Sequence, residues 1–152
     1  MTIYIDGVKA GPVYGEISLD DNEDGQTLAT SGDWYKITQF DTNHEALQTT
    51  PDHANDKITV LLAGIYAVEF VLSFNGSPNV TYHIVIYIGG VADTTLKVQR
   101  RIGAGNDVGA AAISGLASIG AGQTVEAYIQ ADGDNKDFVM GHGNLTVHSV
   151  DK

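Results

Sequence analysis

Residues 65–74 read Ile65-Tyr66-Ala67-Val68-Glu69-Phe70-Val71-Leu72-Ser73-Phe74, and this stretch decides the fold class. Large apolar residues occupy every second position, and successive side chains of a β-strand point to opposite faces. One face is wholly apolar and carries Tyr66, Val68, Phe70, Leu72 and Phe74. The pattern predicts a long strand whose apolar face covers a hydrophobic core.

A cluster of turn residues follows this stretch and reads Asn75-Gly76-Ser77-Pro78-Asn79, after which residues 80–88 alternate again. Gly tolerates positive φ and Pro presets φ, so the cluster predicts a turn. Two alternating runs joined by a short turn are typical of a β-hairpin. We therefore predict that residues 65–74 pair with residues 80–88.

The same alternation recurs along the chain between Gly, Asn and Asp turns. The further predicted strands are 13–19, 34–40, 58–62, 94–102, 108–119, 124–131 and 138–150. The pattern predicts an all-β fold, either a sandwich or a barrel. We assign residues 1–13 to an N-terminal arm and residues 14–152 to a single domain. The polar stretches 20–32 and 41–56 are predicted to be surface connections.

The composition excludes several classes of function. The chain has 152 residues, no cysteine and a formal net charge of −11. Without cysteine it has no disulfide framework, thiolate metal site or thiol nucleophile. Its acidic balance argues against nucleic acid and anionic membrane surfaces as partners. Residues 1–9 lack the basic and apolar regions of a signal peptide.

An acidic segment begins at Asp20 and reads Asp20-Asp21-Asn22-Glu23-Asp24-Gly25. It resembles the first half of a calcium loop, in which Asp20, Asn22 and Asp24 would supply alternating oxygen ligands. Such loops need a bidentate Glu at their twelfth position, and Ser31 stands there. We therefore interpret the segment as a solvated acidic turn, with Ca²⁺ as the alternative and no other cofactor expected.

The five histidines show no short metal-ligand spacing within one chain. In a three-fold assembly, His83 or His148 near the axis would form a ring of three, which is the alternative to an ordinary surface role. Ser114 lacks the strand–turn–helix context of a nucleophile elbow. We expect a protein that is not an enzyme and has no catalytic residues.

A basic cluster lies on the predicted strand 94–102 and comprises Lys97, Arg100 and Arg101. Adjacent residues of a strand face opposite sides, so Arg100 and Arg101 point apart. Two interpretations stay open for this cluster, an ion pair between subunits and an exposed sheet face.

The order of three segments resembles the tumour necrosis factor and complement-head jelly-roll family. The segments are Lys57-Ile58-Thr59-Val60 with Ala63-Gly64-Ile65-Tyr66-Ala67-Val68-Glu69-Phe70, then Gly120-Ala121-Gly122-Gln123-Thr124-Val125-Glu126-Ala127, then Leu145-Thr146-Val147. The resemblance covers residues 34–150. It implies that residues 14–152 form a single jelly-roll β-sandwich of about 8–10 antiparallel strands. It also implies a homotrimer in which each subunit buries one sheet around a three-fold axis. The implied interface candidates are Ile65, Val71, Val85, Tyr87, His83 and His148.

Two further segments, residues 14–17 and 50–59, look similar to small structural proteins of tailed bacteriophages. This resemblance implies a non-enzymatic virion structural protein, made in the host cytoplasm and placed on the capsid exterior. It would be a trimeric capsid decoration (cement) or head-fibre protein, with the major capsid protein as its partner and residues 1–13 as its anchor. The alternative is a receptor- or glycan-binding knob of a tail fibre or spike. That knob would bind host-surface glycan beside loops 20–32 and 75–79, where Trp34 or Tyr82 would stack on sugar.

Overall fold

The computed structural model describes residues 11–150 and the backbone of two short strands, β1 (Tyr4–Ile5) and β2 (Val8–Lys9). These two strands pair with each other in an antiparallel ladder. Residues 1–3, 6, 7 and 10 of the predicted N-terminal arm lie outside the described residues, and the role of the arm as an anchor stays a prediction.

The described chain forms two six-stranded antiparallel sheets. The strands of sheet I are β3 (Tyr14–Asp20), β4 (Gln26–Leu28), β6 (Thr42–Asn43), β9 (Gly64–Gly76), β12 (Val108–Ile119) and β14 (Lys136–Ser149). The strands of sheet II are β5 (Tyr35–Lys36), β7 (Thr49–Asp52), β8 (Lys57–Val60), β10 (Thr81–Ile88), β11 (Val91–Arg101) and β13 (Thr124–Ala131). A single 3₁₀ turn, His53–Asn55, lies between β7 and β8.

The strand order gives the sandwich its jelly-roll character. Sheet I runs β12-β9-β14-β3-β6, with β4 paired to one end of β14. Sheet II runs β11-β10-β13-β8-β7, with β5 paired to β13. Strands that are distant in sequence, such as β3 and β14, are neighbours in the sheet. The predicted all-β jelly-roll sandwich is therefore confirmed.

The decisive stretch lies within β9, as the alternation predicts. All five residues of its apolar face are buried, and the core continues through inward-facing residues of both sheets. An aromatic cluster holds one end of this core, where the ring centroids of Phe74 and Tyr82 are 5.5 Å apart and those of Phe74 and Phe138 are 5.3 Å apart. Tilted and edge-to-face contacts of this kind add to the energy of apolar burial.

The predicted hairpin between residues 65–74 and 80–88 is wrong. Strand β9 pairs with β12 and β14 in sheet I, whereas β10 pairs with β11 and β13 in sheet II. The turn at residues 75–79 carries the chain across the sandwich, and Asn79 turns it with a φ of 62°. Alternation predicts only which face of a strand meets the core. Two strands that pair in one sheet and two strands that lie in opposite sheets show the same alternation, so the pattern does not distinguish them.

The polar stretches that we predicted as connections contain short strands. Residues 20–32 include β4, and residues 41–56 include β6, β7 and the 3₁₀ turn. Most side chains in these two stretches are polar and exposed. The stretches therefore lack the alternation of apolar residues from which a strand is predicted. Among residues 11–150 the structure contains no helix with the length and apolarity that a membrane crossing requires.

Candidate functional site

The outward face of sheet I carries an open apolar groove between β3, β9, β12 and β14. We call it the sheet I groove; it has a volume of about 630 Å³, and its lining includes Val71, Ser73, Ala110, Ala112 and Asn144. The register places Ala112 directly opposite Val71, and small residues on β12 leave the groove floor low. Val71 is 50% exposed and Leu116 on the same face is 62% exposed. Exposed apolar side chains beside an apolar groove are typical of surfaces that bind another protein, so this groove is a candidate for such a surface.

Carboxylates lie along one side of the sheet I groove. Thr146 stands opposite both Glu16 on β3 and Glu69 on β9, so the two acidic residues flank it in one row. The Asn144 amide donates to Glu16 Oε1 at 2.6 Å, and the Thr146 hydroxyl donates to Asn144 Oδ1 at 2.7 Å. The apolar groove therefore has a polar border, as the centre and rim of a protein interface do.

Three histidines lie at this face, and each is exposed to solvent. His142 Nδ1 lies 2.9 Å from Asp20 Oδ1, and His44 Nε2 lies 2.5 Å from Ser18 Oγ. His148 stands opposite Tyr14 at the other end of β14. His83, in contrast, belongs to sheet II, where its Nε2 lies 3.2 Å from Asp132 Oδ1. A ring of histidines around an axis could therefore use His148 or His83 but not both, and it stays a prediction.

The outward face of sheet II is rich in aromatic and basic side chains. The rings of Tyr87 and Tyr128 stack with centroids 3.8 Å apart, and Lys97 Nζ lies 5.1 Å from the centroid of the Trp34 ring. Lys36 Nζ lies 3.5 Å from Glu126 Oε1. Burial raises the pKa of the Tyr128 hydroxyl, and the neighbouring Glu126 carboxylate adds to that rise.

The six predicted interface residues do not form one surface. Ile65, Val71 and His148 lie on sheet I, whereas His83, Val85 and Tyr87 lie on sheet II, at the opposite side of the sandwich. Val85 is only 1% exposed, because its cross-strand neighbours are the long side chains of Lys97 and Tyr128. Alternation identified residues that point away from the core, and it carried no information on which sheet each belongs to.

Tyr82 cannot stack on a sugar, so that prediction is wrong. Its side chain is 0% exposed, and its ring packs against Phe74 in the core. Its hydroxyl accepts a hydrogen bond from Ser77 N at 2.7 Å and donates one to the carbonyl of Asp137. Burial raises the pKa of this hydroxyl. The alternation of residues 80–88 already placed Tyr82 with Ile84 and Ile86, on the inward face.

The acidic segment at Asp20 closes on itself. Asn22 Oδ1 accepts from Asp24 N at 2.9 Å, and the Asn22 amide donates to the Asp24 carbonyl at 3.2 Å. The Gln39 amide also donates to the Asp24 carbonyl. Within residues 11–150 the structure contains no group of three or more acidic or histidine side chains that could hold a metal ion. The calcium alternative stays a prediction that these contacts do not support.

Of the basic cluster, Arg100 has a partner in its own chain. Its Nη2 lies 3.4 Å from Asp107 Oδ2, which also accepts from Gly103 N at 2.8 Å. Lys97 and Arg101 are exposed, and among the described residues no carboxylate oxygen lies within 4.0 Å of either cation. Arg100 therefore belongs to an internal pair, Lys97 and Arg101 lie on the outward face of sheet II, and an ion pair between subunits stays a prediction.

Asp56 is a buried carboxyl that sequence patterns did not single out. It follows the 3₁₀ turn with a φ of 50°, and its Oδ1 accepts from Phe40 N at 3.2 Å. Burial raises the pKa of this carboxyl, while the Phe40 N–H and the charges of Lys36 and His53 oppose that rise. An Asp between a polar turn and a strand is ordinary in a surface loop, so no local signal indicated its burial.

Comparison with known proteins gives a fold and no closer relationship. No protein-family model matches the chain, and no curated protein matches it. The crystal structure of murine APRIL at pH 5.0 superposes with a TM-score of 0.62 at 13% identity, covering 90% of this chain and 99% of that one. The structure of Eiger TNF from S. frugiperda superposes with a TM-score of 0.60 at 12% identity, covering 92% and 95%.

The fold is TNF-like. A second structure of murine APRIL, at pH 8.0, superposes with a TM-score of 0.57 at 11% identity. At such identities the TNF-like likeness concerns the fold alone and carries no partner or activity with it. The predicted TNF-like jelly roll is confirmed. None of these three structures is described as a bacteriophage protein, so the virion role stays a prediction.

Proposed function

We propose that this TNF-like chain forms a homotrimer that serves as a non-enzymatic structural protein on the exterior of a virion capsid. In that role it is a decoration (cement) or head-fibre protein whose partner is the major capsid protein. The observation that carries the self-association is the sheet I groove, which a single chain leaves open to water.

The groove has the composition of a surface that another copy covers. Val71 in the groove is 50% exposed and lies among small alanines, and Leu116, farther along β12 on the same outward face, is 62% exposed. Burying such apolar area contributes roughly 25 cal/mol per Å² removed from water. The carboxylates of Glu16 and Glu69 and the exposed His142 would lie at the border of the contact, where polar groups keep water. A contact that joins different patches of neighbouring copies forms a closed ring only when the rotation between copies closes, and a three-fold rotation gives the proposed trimer.

The virion role rests on the sequence resemblance of residues 14–17 and 50–59, and the fold brings these two segments together. Thr49, which precedes the second segment, donates its hydroxyl hydrogen to the Tyr14 carbonyl at 2.6 Å. A side chain on Gly15 would meet that hydroxyl, since a Cβ there would lie 2.2 Å from Thr49 Oγ1. Such a Cβ would also lie 3.3 Å from Ile58 Cγ2, so Gly15 of the first segment lies close to Ile58 of the second. The net charge of −11 per chain, multiplied threefold, would keep decorated particles apart.

The self-association is tested by the mass of the protein in solution, measured by light scattering over a range of micromolar concentrations. We expect a trimer for the wild type and loss of the trimer for Val71→Lys and for Ala112→Lys, since both residues line the groove and stand opposite each other. Leu61→Lys is the matched control, because Leu61 is 49% exposed but lies outside the groove. A wild-type monomer, or groove variants that stay trimeric, would overturn the proposal.

The location is tested separately on particles purified from the source of this sequence. Quantitative mass spectrometry and electron cryomicroscopy should find the chain in many copies on the capsid exterior. A few copies at the tail tip, or none on the particle, would contradict the capsid role and leave the trimer result unaffected.

A further inference from the structure

Four polar and aromatic side chains form a row across the outward face of sheet II. His83 stands opposite Gln99 on one neighbouring strand and opposite Gln130 on the other. Tyr35, the first residue of β5, pairs with Ile129, so Trp34 lies just before β5 and close to Gln130. The Lys97 ammonium over the Trp34 ring places that ring on the outward face. We call this the sheet II row; in spatial order it comprises Gln99, His83, Gln130 and Trp34.

Two exposed cations flank the sheet II row on the edge strand β11. Lys97 and Arg101 precede and follow Gln99 by two residues, so all three share the outward face. Neither cation has a carboxylate partner among the described residues, and they are two of only eight Lys and Arg in a chain of net charge −11. An anion that this acidic protein repels elsewhere would therefore find its favourable position here.

The chemistry of the row matches that of a sugar ring. Two carboxamides and an imidazole offer both donors and acceptors, as hydroxyl groups require. The indole of Trp34 offers a flat apolar surface for the C–H face of a pyranose. The Asp132 carboxylate, 3.2 Å from His83 Nε2, holds the imidazole in a defined orientation. We propose that the sheet II row, with Lys97 and Arg101, is a binding site for an acidic glycan, one whose pyranose ring carries a carboxylate.

Lys97 contacts the Trp34 ring in the unbound protein and would contact the carboxylate of the sugar in the complex. In the unbound protein its ammonium lies 5.1 Å from the centroid of the Trp34 ring, a cation–π contact at an exposed position. Such contacts are weak when solvated, whereas a charge-assisted hydrogen bond from an ammonium to a carboxylate is stronger. A carboxylated sugar therefore draws Lys97 to its carboxylate and leaves the indole face open for stacking.

This site goes beyond the structural role proposed above and does not depend on it. The row lies on sheet II, at the opposite side of the sandwich from the sheet I groove, so a trimer could use both surfaces at once. It also places glycan recognition on the face of sheet II and not at loops 20–32 and 75–79.

The experiment uses Trp34, the single tryptophan of the chain, as its reporter. The full-length protein is titrated with trigalacturonate, and its neutral methyl ester is the matched ligand. We expect a saturable change in tryptophan fluorescence with the acid and binding about tenfold weaker with the ester, which corresponds to about 1.4 kcal/mol. Equal binding of acid and ester, or no response to either up to millimolar concentration, would overturn the proposal.

Three variants then locate the binding. Lys97→Gln and Arg101→Gln should each weaken trigalacturonate binding severalfold, and the binding should decline with added salt. Lys136→Gln, which removes a cation from β14 in sheet I, should leave it unchanged. If all three variants bind like the wild type, or all three weaken equally, the site is not the sheet II row. Light scattering on the same samples separates this outcome from a failure of the trimer.

Discussion

The buried hydroxyl of Tyr82 allows the sharpest test of how the two sheets are joined. Tyr82→Phe keeps the ring, and with it the packing against Phe74, but removes one oxygen atom. That oxygen accepts from Ser77 N in the turn between the sheets and donates to the Asp137 carbonyl on β14. The substitution therefore leaves one backbone N–H and one backbone C=O without their partners.

The expected cost follows from those two groups. A buried polar group that loses its partner costs about 1–3 kcal/mol. Both hydrogen bonds are partly exposed, so water can replace some of each, and we expect a total near the lower end, about 2 kcal/mol. For a chain of this length that loss lowers Tm by about 4–8 °C.

Urea unfolding followed by the fluorescence of Trp34 measures the change, at one fixed protein concentration so that any self-association contributes equally. Tyr35→Phe is the control, because the Tyr35 hydroxyl accepts a single exposed hydrogen bond from Thr30 N at 2.9 Å. The control should lose about 0.5 kcal/mol or less. If Tyr82→Phe were as stable as the control, the two hydrogen bonds would not stabilise the turn between β9 and β10, and this reasoning would be refuted.

Two further substitutions test the buried groups. Burial raises the pKa of Asp56, so the folded chain binds a proton more tightly than the unfolded one and its stability falls as pH rises through that interval. Asp56→Asn keeps the acceptor for Phe40 N and removes the buried charge. Its free energy of unfolding in urea should therefore exceed that of the wild type most at neutral pH, and the difference should shrink in acid; the opposite trend would refute this. Gly76→Ala places a Cβ 2.7 Å from the Tyr82 ring and should lower the free energy of unfolding by about 1–3 kcal/mol in the same assay. Gly11→Ala is the control, because a Cβ there has no atom within 4 Å, and it should leave the stability unchanged. Equal losses for the two variants would refute the steric explanation.

The inward and outward faces of the strands could be predicted from sequence because they depend on local alternation. The alternation in residues 65–74 predicted that five side chains of one face meet the core, and all five of these side chains are buried. Alternation is blind to pairing partners, which are distant in the chain. For that reason residues 80–88 were assigned to the wrong neighbour.

The same limit explains the mixed result for the surface residues. Val71 was expected to face outward and is half exposed, while Val85, with the same pattern, is covered by residues from β11 and β13. The sheet II row could not be predicted either, since Gln99, Gln130 and Trp34 come from three separate strand regions. The register of β10 with β11 and β13 brings the two glutamines beside His83, and the pairing of β5 with β13 adds Trp34 next to Gln130.

The position of β14 has a consequence for the order of events during synthesis. It is the last of the described strands in the chain, yet it lies in the middle of sheet I, between β9 and β3. Until it emerges from the ribosome, the β12–β9 pair and the β3–β6 pair have no common neighbour, and two long edges stay open to chaperones or to aggregation. The sheet I groove, which takes part of its lining from β14, cannot exist before that moment. Two nascent chains therefore cannot recognise each other through this groove until each has completed its own sandwich.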